Sequence, residues 1–221
     1  MPEDTDEAQR IRSYYRDASW RASRGREFLV SEWRGLVEDT LVERGAELSA
    51  LRICDVGCGA GSDLERWKTL GVPEQQLHGT ELIPERAESA RRVLPEATIE
   101  RVDGFAVPFP DGAFDLVTAS LVFSSVIDSS GRKALATEMR RVARPGGLIA
   151  IYDFRLRKPW NSHVRAVRQA DLASSLGPPW RRHAVSPLLP VLDLALRLPS
   201  SVARAVVRLL PRTHRVWMWR I

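Results

Sequence analysis

At 221 residues and 24.9 kDa, with 44% hydrophobic residues, the chain has enough material for one sizeable α/β domain and too little for two. No stretch approaches the ~18 uninterrupted apolar residues of a membrane span, and the acidic, polar N-terminus lacks the apolar core of a signal peptide, which together imply a cytoplasmic protein. Charge is unevenly placed: residues 154–221 hold 13 Lys or Arg against Asp171 and Asp193, so that segment is +11, the first 153 residues are −6 and the whole is +5.

The basic end fits two readings, attraction to an anionic substrate, membrane surface or nucleic acid, and a solvated arginine-rich surface; Lys occurs only at 68, 133 and 158. In chain order, the first few residues are expected to be disordered. Ser13-Tyr14-Tyr15-Arg16 and Trp20 then precede a helical run in which Phe28, Trp33, Leu36, Val37, Thr40 and Leu41 recur near i, i+3, i+4. Residues 51–56 form a short apolar strand that runs into Asp55 and the turn Gly57-Cys58-Gly59-Ala60-Gly61. Glycines stand where a strand-to-helix turn needs positive φ and where a ligand approaches bare backbone. A dinucleotide fingerprint G-x-G-x-x-G would require glycine at 62, where the chain has Ser62; the pattern present is D-x-G-x-G-x-G. An acid at the strand end suits a cationic ligand and repels a pyrophosphate. Cys54 and Cys58 match no metal-ligand pattern and read as small buried residues, with Cys58 beside the ligand; no metal site is expected.

A helix over 62–70 buries Leu64, Trp67 and Leu70, and Gly71-Val72-Pro73 stops it. Residues 77–82 are the second strand, ending in Glu81, 20 residues beyond Gly61, where a carboxylate accepts ribose hydroxyls in dinucleotide and S-adenosylmethionine folds alike. Pro84 opens a helix to Val93, residues 97–103 are the third strand, and Asp103-Gly104-Phe105 leads into a loop. The nearly continuous apolar run 115–121 is a strand covered on both faces, leading to the loop 122–128. A helix over 132–143, the turn Arg144-Pro145-Gly146-Gly147 and a fifth strand over 148–152 follow. Beyond them, 163–176 read as a helix, 181–186 as a sixth strand, 187–210 as proline-broken helix and 214–220 as the last strand.

The motif D-x-G-x-G-x-G, with Glu81, Asp103 and the R-P-G-G turn about 90 residues later, resembles class I S-adenosylmethionine-dependent methyltransferases over residues 50–155; more finely, residues 123–128, Tyr152-Asp153-Phe154, Asn161, Val164-Arg165 and Arg212-Thr213-His214 resemble a small bacterial subgroup of the type-11 family. The resemblance implies a Rossmann-like α/β fold: a seven-stranded, mostly parallel sheet with an antiparallel last strand and helices on both faces. It implies S-adenosyl-L-methionine as cofactor, held by Asp55, Gly57, Cys58, Gly59 and Gly61, by Glu81 and Leu82 at the ribose, by Asp103, Gly104 and Phe105 or Ala106 at the adenine, and by Leu121 and Phe123 after the fourth strand. It further implies a lid over residues 1–48 in which Tyr14, with Tyr15, closes on the cofactor, a cofactor-binding core over 49–155 and a substrate-side segment over 156–221.

Methyl transfer from a sulfonium is an in-line displacement, so such an enzyme chiefly aligns donor and acceptor and excludes water. A hydroxyl acceptor needs a base at the carboxyl edge of the sheet. Asp153, His163 and His214 are the candidates, with Asp128 also placed there; Arg155, Arg157 and Arg212 are candidates for an anionic group on the acceptor. The N-P-P-[YFW] signature of amino-group methyltransferases is absent. The expected reaction is O-methylation of a small molecule, a sugar or glycan precursor or a secondary metabolite. The alternatives are an RNA methyltransferase drawn to nucleic acid by the basic segment, a membrane-associated quinone or lipid methyltransferase, and a non-catalytic protein that keeps the fold.

Overall fold

The computed structural model describes residues 2–16, 24–156, 161–185, 202, 206 and 209–221. The elements, in order, are α1 (Pro2–Arg16), α2 (Arg24–Glu43), β1 (Ile53–Val56), α3 (Ser62–Thr69), β2 (Leu77–Glu81), α4 (Pro84–Val93), β3 (Thr98–Arg101), β4 (Phe114–Ser120), α5 (Ser129–Val142), β5 (Ala143–Phe154), α6 (Gln169–Leu176), β6 (Arg181–Val185) and β7 (His214–Arg220). They build one seven-stranded sheet in the order β3-β2-β1-β4-β5-β7-β6. β1 to β5 pair in parallel, and β7 runs antiparallel to both β5 and β6.

Alternation along the strands sends each residue to one of two cores. Val117, Ala119, Ile149, Ile151, Trp217 and Trp219 face α5 and α6, where Leu135, Met139 and Leu172 meet them. Leu116, Leu148, Ala150, Tyr152, Val216 and Met218 face the other way, onto Trp33, Val37 and Leu41 of α2, Leu64 and Trp67 of α3 and Ala87 and Ala90 of α4. Burial on both faces accounts for the unbroken apolar runs of β4 and β5. The R-P-G-G run is an irregular start to β5: the pairing shifts between Phe114 and Leu116, and Gly146 takes φ +78°.

The chain winds from β1 through α3, β2 and α4 to β3 at one edge, then returns to place β4 on the other side of β1. That reversal opens a crevice beyond the carboxyl ends of β1 and β4, where open α/β sheets bind their ligands.

Helix α1 is held by tertiary contacts from residue 7 onward: Ala8 and Ile11 are buried, Glu7 Oε1 accepts from Ile127 N at 2.5 Å, and the Arg12 guanidinium donates to Asp103 Oδ1 at 2.6 Å. One expectation is corrected. The helix expected over 163–176 starts only at Gln169, because the preceding backbone is engaged elsewhere. Arg165 N donates to Ser124 O and Val167 N to Phe154 O, while the buried Arg132 side chain takes the carbonyls of Arg165 and Ala166. The expected helical stretch 187–210, apart from residues 202, 206, 209 and 210, lies outside the described residues, as do Trp20, Arg157 and the Phe28 side chain.

Candidate functional site

A cavity of about 710 Å³ lies over the crevice, roofed by Ile11, Tyr14 and Tyr15 of α1 and floored by the glycine turn. The turn is built by glycines with three different duties. Gly57 (φ +73°) packs so closely that a Cβ would meet Val122 Cγ2 at 2.6 Å, and Gly61 (φ +89°) precedes α3 against Ala90 and Leu94 of α4. Gly59 (φ +58°) faces open space, with no atom within 4 Å of where a Cβ would stand.

Four of the backbone N–H groups of this turn are spent within the protein. Gly57 N and Cys58 N both donate to Thr80 O, Gly61 N to Cys58 O, and Gly59 N to Glu81 Oε2 at 2.8 Å. A phosphate cradle needs such donors free. What faces the cavity instead is acid: Glu81 and Asp63 line it, and Asp55 lies buried beneath. Glu81 takes Gly59 N on one oxygen and Ile83 N, also at 2.8 Å, on the other. Burial nevertheless pushes its carboxyl above the usual range. Asp55 accepts from Thr118 Oγ1 at 2.7 Å; burial, then the Asp63 charge, push it well up. Asp63 belongs to the first turn of α3, and Arg34 of α2 reaches it with Nε 2.5 Å from Oδ1.

Of the residues singled out in the sequence, Tyr14, Gly57, Cys58, Gly59, Glu81, Leu82, Gly104, Phe105, Leu121 and His214 come together on the cavity wall, as does Ala106. Leu121 turns the chain into the site with φ +58°, a conformation rare for a residue with a Cβ. Gly61 supports the turn from behind. Asp55 and Phe123 are buried off the cavity wall, and Asp103 stays solvent-exposed in its ion pair with Arg12.

The acidic and basic candidates separate. Asp153 is sealed away: its oxygens accept from Ser124 N at 2.9 Å and Phe154 N at 2.7 Å, and burial pushes its pKa up to about 6. Asp128 caps α5 through Gly131 N. His163 stands off the cavity wall, stacked on Tyr14 at 4.4 Å, whereas His214 lines it, stacked on Tyr152 at 5.2 Å, with Nδ1 3.0 Å from Thr213 Oγ1. Arg155 and Arg212 are surface-side, the latter pairing with Glu32. Burial raises both thiols well above their ordinary range, so Cys54 and Cys58 are inert fillers, Cys58 against the cavity. Among the described residues no cluster of His, Cys, Asp or Glu could hold a metal ion.

Sequence reasoning gave no site role to Ile11, Asp63, Arg86, Tyr152, Asn161 and Val164, all on the cavity wall, or to Arg34 behind Asp63. Asp63 stands two residues after the last glycine and carried a local signal; Arg34 is 29 residues from its partner and carried none.

The strand order, the glycine turn with Glu81 and Asp63 beside it and the β1–β4 crevice are those of a class I S-adenosylmethionine-dependent methyltransferase fold. The model of the methyltransferase-domain family matches residues 54–151. A demethylmenaquinone methyltransferase of Thermus thermophilus is 33% identical over 126 residues, 55% of this chain and 54% of that protein. The 27-O-demethylrifamycin SV methyltransferase of Amycolatopsis mediterranei is 30% identical over 113 residues, 48% of this chain and 39% of that protein. The chain thus spans about half the length, or less, of these curated relatives. Among solved structures, geranyl diphosphate C-methyltransferase from Streptomyces coelicolor superposes with a TM-score of 0.67 at 15% identity, and magnesium protoporphyrin IX methyltransferase from Synechocystis with 0.66 at 15%, each covering 98% of both chains. At that identity these two similarities speak for the fold.

S-adenosylmethionine is the cofactor of this class, and the residues fit it. The open face of Gly59 admits a ligand to bare backbone. Glu81 has lone pairs beyond the two that hold the turn, and the acids suit a ligand bearing a sulfonium and an ammonium.

Proposed function

We propose that the protein methylates a small molecule with a large apolar or aromatic body, at a hydroxyl such as that of a phenol or hydroquinone. The observation that carries this reading is the composition of the wall away from the glycine turn. Ile11, Tyr14, Tyr15, Phe154 and Val164 enclose that end, with the His214 imidazole among them. A sugar would bring many hydroxyls to a wall where the Tyr14 hydroxyl is paired with Asn161 and the Tyr15 hydroxyl with Ser125, so the aromatic acceptor is the better match.

S-adenosylmethionine, when bound, supplies an activated methyl group. The chain's own residues then hold the acceptor and keep water out. Tyr14 is fixed by Asn161 Nδ2 at 3.0 Å from its hydroxyl, and Tyr15 by Ser125 Oγ at 2.5 Å, so two aromatic walls stand preorganised. His214, whose imidazole lines the cavity, is the group placed to take a hydroxyl proton. The relatives named for demethylmenaquinone and rifamycin substrates support an apolar acceptor. The quinone in the name of the first favours a second reading, methylation at carbon of a quinone-type ring, in which His214 takes a ring proton instead. No helix among the described residues is long and apolar enough to cross a membrane, so a lipid-soluble acceptor would be met at a surface or in solution.

The test is incubation with methyl-labelled cofactor and a panel of phenols, hydroquinones, sugars and tRNA, followed by mass spectrometry. Label on a phenol or hydroquinone is expected, and fragmentation assigns it to oxygen or carbon. Label confined to sugar or tRNA would overturn the acceptor class, and cofactor binding without label on any of them would favour a non-catalytic role.

A further inference from the structure

β6 closes the sheet at the edge away from β3 and pairs with β7 alone among the described residues. Trp180, just before β6, is exposed, and three guanidiniums gather on its ring: Arg181 at 4.3 Å, Arg220 at 5.3 Å and Arg44 at 6.0 Å from the centroid. Burial, then the charges of Arg220 and Arg144, push Arg44 below its ordinary pKa. Further along the same edge stand Arg155, Arg182 and Arg215. Arg155 N donates to Thr213 O beside the start of β7, and Arg215, opposite Ala184 of β6, lies 5.8 Å from the Trp217 ring. Burial, then Arg155 and Arg182, lower Arg215 in the same way.

Acids answer only part of this charge. Asp115 pairs with Arg144, Glu43 with Arg181 and Glu32 with Arg212, but among the described residues no acid pairs with Arg44, Arg155, Arg182, Arg215 or Arg220. Like charges held this close oppose the compact state, and an anionic partner relieves them.

Apolar side chains are exposed in the same part of the chain. Of the six large ones left exposed among the described residues, Leu156, Trp180, Val202 and Leu209 belong to the segment 154–221 that carries +11. A nucleic acid offers phosphates and bases that stack on free aromatic faces, whereas the Trp180 ring is already engaged by guanidiniums and the other three are aliphatic. A lipid surface suits both features, its phosphates taking arginine and its interfacial layer taking tryptophan and aliphatic groups.

We propose that the β6–β7 edge docks on an anionic phospholipid membrane, with Arg44, Arg182, Arg215 and Arg220 on the headgroups and Trp180 in the interfacial layer beside them. Phe154 and His214, the chain neighbours of Arg155 and Arg215, line the cavity, so a membrane lying along this edge reaches the cavity wall. The docking goes beyond the acceptor reading and does not require it.

Sedimentation with phosphatidylcholine vesicles, with and without phosphatidylglycerol and carrying no acceptor, tests the surface. The protein should pellet with phosphatidylglycerol vesicles at low salt, leave them at high salt, and stay in solution with phosphatidylcholine alone. An arginine close to an anionic surface strengthens partition about 5-fold, so Arg182→Gln/Arg220→Gln should bind roughly 25-fold more weakly. Arg92→Gln/Arg101→Gln removes the same charge from exposed positions at the β3 end of the sheet and should change binding by less than about 2-fold. Trp180→Ala should lose about 5-fold, matching the burial of ~40 Å² of ring. Circular dichroism should show every variant folded. Equal loss in the two double variants, or no binding to phosphatidylglycerol vesicles, would overturn the proposal; binding to single-stranded RNA without binding to vesicles would assign the edge to nucleic acid instead. None of these results bears on the acceptor reading, which the labelled panel tests separately.

Discussion

Gly59 separates the cost of folding from the cost of binding more cleanly than any other position. Its φ of +58° strains any residue with a Cβ, yet no atom stands within 4 Å of that Cβ, so Gly59→Ala should destabilise the fold only by the left-handed backbone penalty, roughly 1–2 kcal/mol. For a chain of this size that is a fall in Tm of about 2–8 °C. The new methyl projects into the cavity, where overpacking against a bound ligand costs roughly 1–3 kcal/mol, or about a 5- to 150-fold loss of affinity. Gly146 supplies the control: φ is +78° with nothing within 4 Å of its Cβ, but it lies in the turn at the start of β5, off the cavity wall. Gly146→Ala should show a comparable Tm shift by differential scanning fluorimetry and unchanged Kd for S-adenosylhomocysteine by calorimetry. Wild-type affinity in Gly59→Ala, or equal loss of affinity in both variants, would refute the placement of the ligand over the turn.

Glu81→Gln removes one charge-assisted bond to the turn and the acceptor facing the ribose; calorimetry should record a loss of about 1.5–3 kcal/mol in cofactor binding, roughly 10- to 150-fold, with the fold retained by circular dichroism. Asp153 makes stability depend on pH. Its folded pKa of about 6 lies above the ordinary 3.8, so the folded state holds the proton more tightly than the unfolded state, and stability falls as pH rises from about 4 through 6, by about 3 kcal/mol in total, then levels off. Urea titrations across that window should register the decline, and Asp153→Asn should abolish it. For the base, His214→Ala should cut kcat at least 10²-fold without changing cofactor affinity, whereas His163→Ala should act through Tyr14 and raise KM for the acceptor with a smaller effect on kcat; the reverse pattern would exchange their roles.

Most of the sheet was legible in the sequence because its strands are buried on both faces and read as continuous apolar runs, as in 115–121 and 148–152. The glycine turn and Glu81 were legible because they carry backbone and charge requirements into local sequence. The start of α1 was not, since what orders it is tertiary: Glu7 reaches Ile127, 120 residues away, and Arg12 reaches Asp103. The late start of α6 has the same origin, the Arg132 side chain having taken the carbonyls that a longer helix would use. At the site, spacing indicated Asp55 as the acid beside the ligand, whereas the structure brings Asp63 to the wall and leaves Asp55 beneath it. A strand-end residue faces either the core or the crevice according to register, and no local pattern distinguishes the two. Arg34 and Asp63 belong to different helices and met only in three dimensions.

A crystal structure with S-adenosylhomocysteine tests the central claim most directly. The account predicts a ligand lying along Gly57 to Gly59, its ribose hydroxyls on the Glu81 carboxylate and its base among Leu82, Phe105 and Ala106. A ligand bound elsewhere on the molecule, or turned so that its ribose lies away from Glu81, would contradict it.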